Sequence, residues 1–289
     1  MSARRWRFLE RSRNVHRLTI DLGSVRDEQW ILLQSDVHWD NPACNRELLV
    51  SHWQAAKARD APILDNGDFF CAMQGKWDKR AVKDDLREEH RTGDYLDALV
   101  RTAAEALQPY ADLLTLRGQG NHETGVLKRH ETNLTERLVE RLRMRGSTQV
   151  GLGGYSGFVV LEVSHAGRRM PIKLYYHHGY GGGGPVTRGI IQTNRQAVYL
   201  ADADLVWTGH THDSWVLPIA RVKLNQDCTR IDHTRQLHFR TPGYKEDYRD
   251  GFAGWHIERG GPPKPTGAAW LRIFVGPRKS IDYELTEAR

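Results

Sequence analysis

At 289 residues, with 39% hydrophobic and 9% aromatic residues, the chain carries enough apolar material for a substantial core, which excludes a disordered polypeptide. Its 42 Lys and Arg against 36 Asp and Glu give a formal charge of +6, a modest bias toward phosphate-bearing or nucleic-acid partners. Three scattered cysteines (Cys44, Cys71, Cys228) argue against a disulfide framework or a thiolate metal site, and no apolar run reaches the ~18 residues of a membrane span.

Arg4, Arg5, Arg7, Arg11, Arg13 and Arg17 crowd the start. Without a following apolar stretch they do not make a secretory signal, and they read as a solvated arm or a first strand. With so few cysteines, a reducing, cytoplasmic setting is the expectation. Arg17 to Leu22 and Gln29 to Gln34 predict strands. Asn41-Pro42 marks a turn, and Asn45 to Arg59 predicts a helix, with Leu48, Leu49, Trp53 and Ala56 at helical spacing. Ala61 to Asn66 is a short buried strand. Residues 78 to 110 read as helical, with an apolar stripe (Leu96, Leu99, Val100, Ala103, Leu107) in the second half. Leu113 to Arg117 predicts a strand and His130 to Arg145 a helix.

Phe158 to Val163 and Pro171 to Tyr176 read as neighbouring strands joined by a turn at Ala166-Gly167. The glycines from Gly181 to Gly184, then Pro185, are either a linker or a mobile loop over a site. Thr187 to Leu200 predicts a helix. Trp215 to Leu224 and Thr229 to Phe239 predict antiparallel strands, 240–265 an irregular stretch, and Ala269 to Val275 a final strand. No repeat and no boundary divides the chain. One domain over 1–289 is expected, with 214–289 as C-terminal strands carrying a small substrate-facing cap at 240–265.

Chemistry-bearing residues fall at the ends of the apolar runs. Asp36 and His38 follow Trp30 to Ser35, Gly67-Asp68 follows Pro62 to Asp65, and Gly120-Asn121-His122-Glu123 follows Leu113 to Leu116. His178-Gly179 follows Ile172 to Tyr176, and Gly209-His210-Thr211-His212 follows Ala203 to Trp207. Alternation along an extended chain lets His210 and His212 point the same way. Five strand ends, each delivering Asp, Asn or His to a loop, describe one sheet edge furnished with ligands, where open α/β sheets bind theirs.

This ordered set resembles the calcineurin-like metallophosphoesterases, and the likeness covers roughly residues 30 to 213. It implies an α/β (α+β) fold, a four-layer α/β/β/α sandwich of two mixed sheets with a dinuclear metal site at the strand ends. It assigns Asp36, His38, Asp68 and His212 to one cation and Asp68, Asn121, His178 and His210 to the other, with Asp68 bridging. His177 competes for the place of His178, but the resemblance puts the ligand immediately before glycine. Such donors suit two divalent ions, Mn first, with Fe, Zn, Ni or Co as alternatives. His122 becomes the candidate general acid and Glu123 the group that orients it and raises its pKa. Cys71 departs from the pattern, which often has Asp there, and Asp40, Asn41 and Asp65 are candidates to support the ligands.

The implied activity is phosphoester hydrolysis, read as a phosphodiesterase or nuclease on nucleotides or nucleic acid, DNA or RNA. A phosphomonoesterase and an inactive binding scaffold remain alternatives. No membrane partner is expected, and oligomeric state is left open.

Overall fold

The computed structural model describes residues 4–288 apart from 76, 77, 80, 82–85, 183, 185, 226, 249, 250, 253, 254, 259, 278 and 279. Strands β1 (Trp6–Ser12), β2 (Val15–Asp21) and β3 (Glu28–Gln34) open the chain. The arginine-rich start is therefore a strand: Trp6 and Phe8 enter the core while Arg7 between them stays exposed. Helix α1 (Arg46–Ala58) is capped by Asn45, whose side chain accepts the Leu48 N–H, and buries Leu49, Trp53 and Ala56 as the spacing predicts. Strand β4 (Ile63–Asp65) follows.

The expected helix over 78–110 is shorter. Helix α2 spans Tyr95–Leu107, preceded by a single 3-10 turn at Glu88–His90, while Asp78, Lys79, Ala81 and Leu86 are not helical. The apolar stripe exists only in the second half, and only there can a helix bury a face. After β5 (Leu114–Arg117) come two helices where one was expected, α3 (Asn121–His130) and α4 (Leu134–Met144). Strand β6 (Gly151–Leu152) was not anticipated. β7 (Ser156–His165) and β8 (Arg168–His177) form the expected hairpin through Ala166-Gly167. Then come α5 (Ile190–Tyr199), β9 (Leu205–Thr208) and the antiparallel pair β10 (Trp215–Leu224) and β11 (Ile231–Arg240). A short α6 (Trp255–Glu258) precedes β12 (Ala268–Val275), and an unforeseen β13 (Ile281–Ala288) pairs with it.

The strands form two mixed sheets, ordered β1-β2-β7-β8-β9-β11-β10 and β13-β12-β3-β4-β5-β6. Leu18, Ile20, Leu174, Leu205 and Trp207 of the first sheet share one apolar cluster with Ile31, Leu32, Ile63 and Leu116 of the second. Each such fully buried side chain contributes about 1.5–3 kcal/mol. Strand β9 shows the layering residue by residue. Leu205 and Trp207 face that shared core, whereas Val206 faces the opposite way onto Leu200 and Ala203, which follow α5. Helices α1 and α4 contact the second sheet. The result is an α/β sandwich of four layers. Among the described residues no helix is long and apolar enough to cross a membrane.

Parallel pairing sets where the loops emerge. β3, β4 and β5 run parallel to one another, as do β8 and β9. Their carboxyl ends therefore open at one side, three from one sheet and two from the other. The edge that carries the candidate ligands is thus a junction of two sheets rather than the edge of one.

Candidate metal centre

The loops that leave these strands are bent tightly. Asp36, His38, Asp68, His210 and His212 all have positive φ, between 50° and 76°. A left-handed non-glycine residue costs on the order of 1–3 kcal/mol and persists only where its surroundings enforce it. Here the loops enforce one another: the Asp36 N–H donates to the Gly67 carbonyl, that of His38 to the Asp68 carbonyl, and that of Tyr244 to the Asp36 carbonyl. The glycines heading two motifs are required by close approach. A Cβ on Gly209 would lie 2.5 Å from Asp36 Oδ2, and one on Gly120 would collide with Asp68 Oδ1.

Six of the seven expected ligands gather into two triads, Asp36 with His38 and His212, and Asp68 with His178 and His210. In the first, His212 Nε2 is 3.4 Å from Asp36 Oδ1 and 3.2 Å from His38 Nε2. In the second, His178 Nε2 lies 3.0 Å from Asp68 Oδ2. The triads adjoin, since His178 Nε2 is also 3.9 Å from Asp36 Oδ1. His210 and His212 do not converge as alternate residues of an extended chain. Both are left-handed and lie beyond the end of β9, and each serves a different triad.

Second contacts fix the ligand orientations. His178 Nδ1 pairs with the Asn66 carbonyl at 2.8 Å, which leaves Nε2 for Asp68. His177 is turned elsewhere, its Nδ1 accepting the Gly179 N–H at 2.9 Å. The His210 N–H donates to both Asp36 carboxylate oxygens, at 3.1 and 2.9 Å. At the start of α3 the His122 N–H donates to Asp68 Oδ1 at 2.9 Å, so a carboxylate sits at a helix N-terminus.

The electrostatics call for positive charge. Burial favours the neutral forms of Asp36 and Asp68, yet His178 and other neighbouring histidines hold both carboxyls far below the usual range. Burial opposes a charge on His178, but Asp68 and Asp36 outweigh it and push it up to about 10. Burial, with His122 and His212, holds His38 well down, and burial with His178 lowers His210. The His178 imidazolium is thus a cation between two carboxylates. Among the described residues His38 Nδ1, Asn121 Oδ1 and His210 Nδ1 are buried without hydrogen-bond partners. Each such atom costs about 1–3 kcal/mol if nothing engages it. Carboxylate, amide oxygen and imidazole donors of this kind fit borderline divalent cations.

Glu123 does not orient His122. Its carboxylate accepts the N–H groups of Asp68 at 3.0 Å, Phe70 at 2.9 Å and Gly120 at 2.8 Å, tying the β4 loop to the start of α3. Burial and the Asp68 charge push Glu123 up to about 8, against the pull of the Phe70 and Gly120 amides. His122 is held instead by the Cys71 carbonyl, 2.6 Å from its Nδ1, and its Nε2 lies 3.7 Å from Asp68 Oδ2. Its side chain keeps 13% exposure.

Asp40 supplies a carboxylate at the position where Cys71 interrupts the motif, accepting the Cys71 and Ala72 N–H groups at 2.6 and 2.9 Å. Burial and Asp40 push the Cys71 thiol up, which argues against a nucleophile. Asp65 accepts from Gln34 and the Gly67 N–H and faces buried Arg117 at 3.2 Å.

Sequence reasoning missed a chain of polar groups behind the His-Thr-His turn. Arg240 Nη1 donates to Thr211 Oγ1, Thr211 Oγ1 to Asp213 Oδ2, and Lys264 Nζ to Asp213 Oδ1. Nothing local marks Arg240 or Lys264, which reach the turn from the end of β11 and from the stretch expected to be irregular. Tyr244, expected in a substrate-facing cap, is fully buried, and its hydroxyl pairs with His52 Nδ1 at 2.8 Å. Of the glycine-rich stretch after Gly179, Gly183 and Pro185 lie outside the described residues, and Gly181, Gly182 and Gly184 are exposed.

No family model matches the chain, and no curated protein matches it. Among solved structures it is similar to GAP50, the anchor in the inner membrane complex of Plasmodium. The TM-score is 0.39 and the identity 10%, over 91% of this chain and 85% of that one.

Proposed function

We propose that the chain is a metal-dependent phosphoesterase that cleaves phosphodiesters of nucleotides or nucleic acid. The observation that carries this reading is the pair of adjoining Asp-His-His triads, built on left-handed loops with buried donor atoms unengaged. Asp36, His38 and His212 would hold one divalent ion, and Asp68, His178 and His210 the other, with Asn121 offering its amide oxygen. Bound there, the ions would supply Lewis acidity and neutralise charge as water attacks phosphorus.

The chain's own groups do the rest. Asp36 and Asp68 stay ionised at neutral pH, and backbone N–H groups fix their free rotation. The Cys71 carbonyl accepts a hydrogen bond from His122 Nδ1–H, so a second proton on Nε2 is the one His122 can pass to the leaving oxygen. Tyr155, His177 and Tyr180 form a run of rings beside His178, at centroid spacings of 5.5, 5.3 and 5.6 Å. Tyr180 is 40% exposed, and a ring so placed offers a face to a base. That run and the +6 charge support a nucleotide-type ester. Three free cysteines support a reducing, cytoplasmic setting.

The test compares bis(p-nitrophenyl) phosphate with p-nitrophenyl phosphate, using manganese-loaded protein and His122→Ala. Diester preference, lost in the variant, is the expected result. Monoester preference would overturn the substrate class, and inactivity on both with ions bound would favour a binding scaffold.

A further inference from the structure

We infer that His38, Cys71 and His122 form a site for a thiophilic cation, zinc above all, whose occupation switches the centre off. The functional half of this inference rests on the phosphoesterase reading; the binding half does not. One donor atom from each of the three residues lies within 4.8 Å of the others. His38 and Cys71 are buried, and His122 is nearly so. Bond lengths of about 2.0–2.3 Å place the ligand atoms of a tetrahedral zinc roughly 3.5 Å apart, so each pair needs to close by at most about 1.3 Å.

The surroundings suit a ligand set. His122 has its Nδ1 tied to the Cys71 carbonyl at 2.6 Å, leaving Nε2 as the coordinating atom, the same device that orients His178. His38 carries a buried Nδ1 with no hydrogen-bond partner among the described residues, and its ring stands edge-on to His122 at 4.9 Å. The sulfur is held in place. Asp40 grips the Cys71 and Ala72 N–H groups, Tyr95 donates to Asp40, and Ala72 sits at φ 48°. Asn41 Nδ2 approaches Cys71 Sγ at 3.5 Å and would stabilise a thiolate. No local motif reveals the site, because its ligands come from two loops and the first turn of α3.

Coordination releases the thiol proton to solvent and leaves sulfur bound as thiolate. Two consequences follow for the neighbouring centre. A cation on His122 Nε2 occupies the lone pair that would otherwise carry the catalytic proton. His38 also belongs to the triad with Asp36 and His212, so the two sites contest one imidazole. Manganese prefers oxygen donors and zinc accepts thiolate, which makes the second site selective for the inhibitor over the activator.

Cobalt(II) reads the sulfur directly. The wild-type chain should show a near-ultraviolet thiolate-to-cobalt charge-transfer band. Cys71→Ser should lose it while keeping the visible bands of the histidine-carboxylate centre, with unchanged near-ultraviolet circular dichroism as the folding control. Equilibrium dialysis should show one class of zinc site weakened at least tenfold in Cys71→Ser. Zinc inhibition of manganese-supported hydrolysis should shift by a similar factor. A wild type that binds cobalt without a thiolate band overturns this inference alone, as does a band that survives in Cys71→Ser. A wild type that binds no cobalt overturns both this inference and the phosphoesterase reading.

Discussion

Asp68 stands where the second triad, the start of α3 and the β4 loop meet. Its Oδ1 takes the His122 N–H, its Oδ2 faces His178, and its own N–H is held by Glu123. Removing Glu123 would orphan three buried amides, each worth about 1–3 kcal/mol. Glu123→Ala should therefore lower the unfolding free energy by at least about 2 kcal/mol in urea titrations, and it should weaken metal retention with it. His178 gives a prediction with a definite sign. In the metal-free chain its pKa stands at about 10 against an ordinary 6.5. The folded state then holds the proton more tightly than the unfolded state. This contribution is complete below about pH 6.5 and is lost as pH rises toward 10. Urea midpoints in chelator should fall between about pH 6.5 and 9. With manganese bound His178 must be neutral, so that slope should vanish.

At the level of elements, the ligand-bearing strands were legible because each is an unbroken apolar run closed by a polar residue of ligand type. Buried parallel strands have that signature. The elements that escaped lack it. Helix α3 buries only Glu123 and Val126, so it shows no apolar stripe, and its start is defined by contacts with Asp68 that no local pattern carries. Strand β13 buries fully only Ala288, the rest of its residues being half-buried or exposed, and β6 is two residues long. The ligand types could be read from sequence, but not the left-handed geometry that sends His210 and His212 to different triads. The part played by Glu123 was misread for a related reason: its three partners are amides, one of them near and two of them more than fifty positions away. Strand β13 matters more than its composition implies, because it covers the outer edge of β12, which in turn pairs with β3. Deleting residues 281–288 would bare the hydrogen-bonding groups of β12 and unpack Ile281, Tyr283 and Leu285. The truncated chain should elute as aggregates in size-exclusion chromatography, where the full chain gives a discrete species.

On the scale of the whole molecule, the two triads come together only when the two sheets dock. Asn66, after β4, donates to the His177 and Trp207 carbonyls of the other sheet at 3.2 and 3.3 Å. Ser35 meets Thr241 at 2.8 Å, and Trp207 Nε1 donates to the same hydroxyl. These contacts align three strand ends of one sheet with two of the other, so folding stability and ligand geometry are coupled. Cations that bind only the docked form must stabilise it by mass action, about 2.7 kcal/mol at a hundredfold excess over Kd. The most direct test of the account is the metal content of the chain after equilibrium dialysis against manganese. The wild type should retain two ions per chain, and His210→Ala and His212→Ala should each lose one, because the two histidines belong to different triads. A wild type that retains none, or variants that both keep two, would contradict the dinuclear centre.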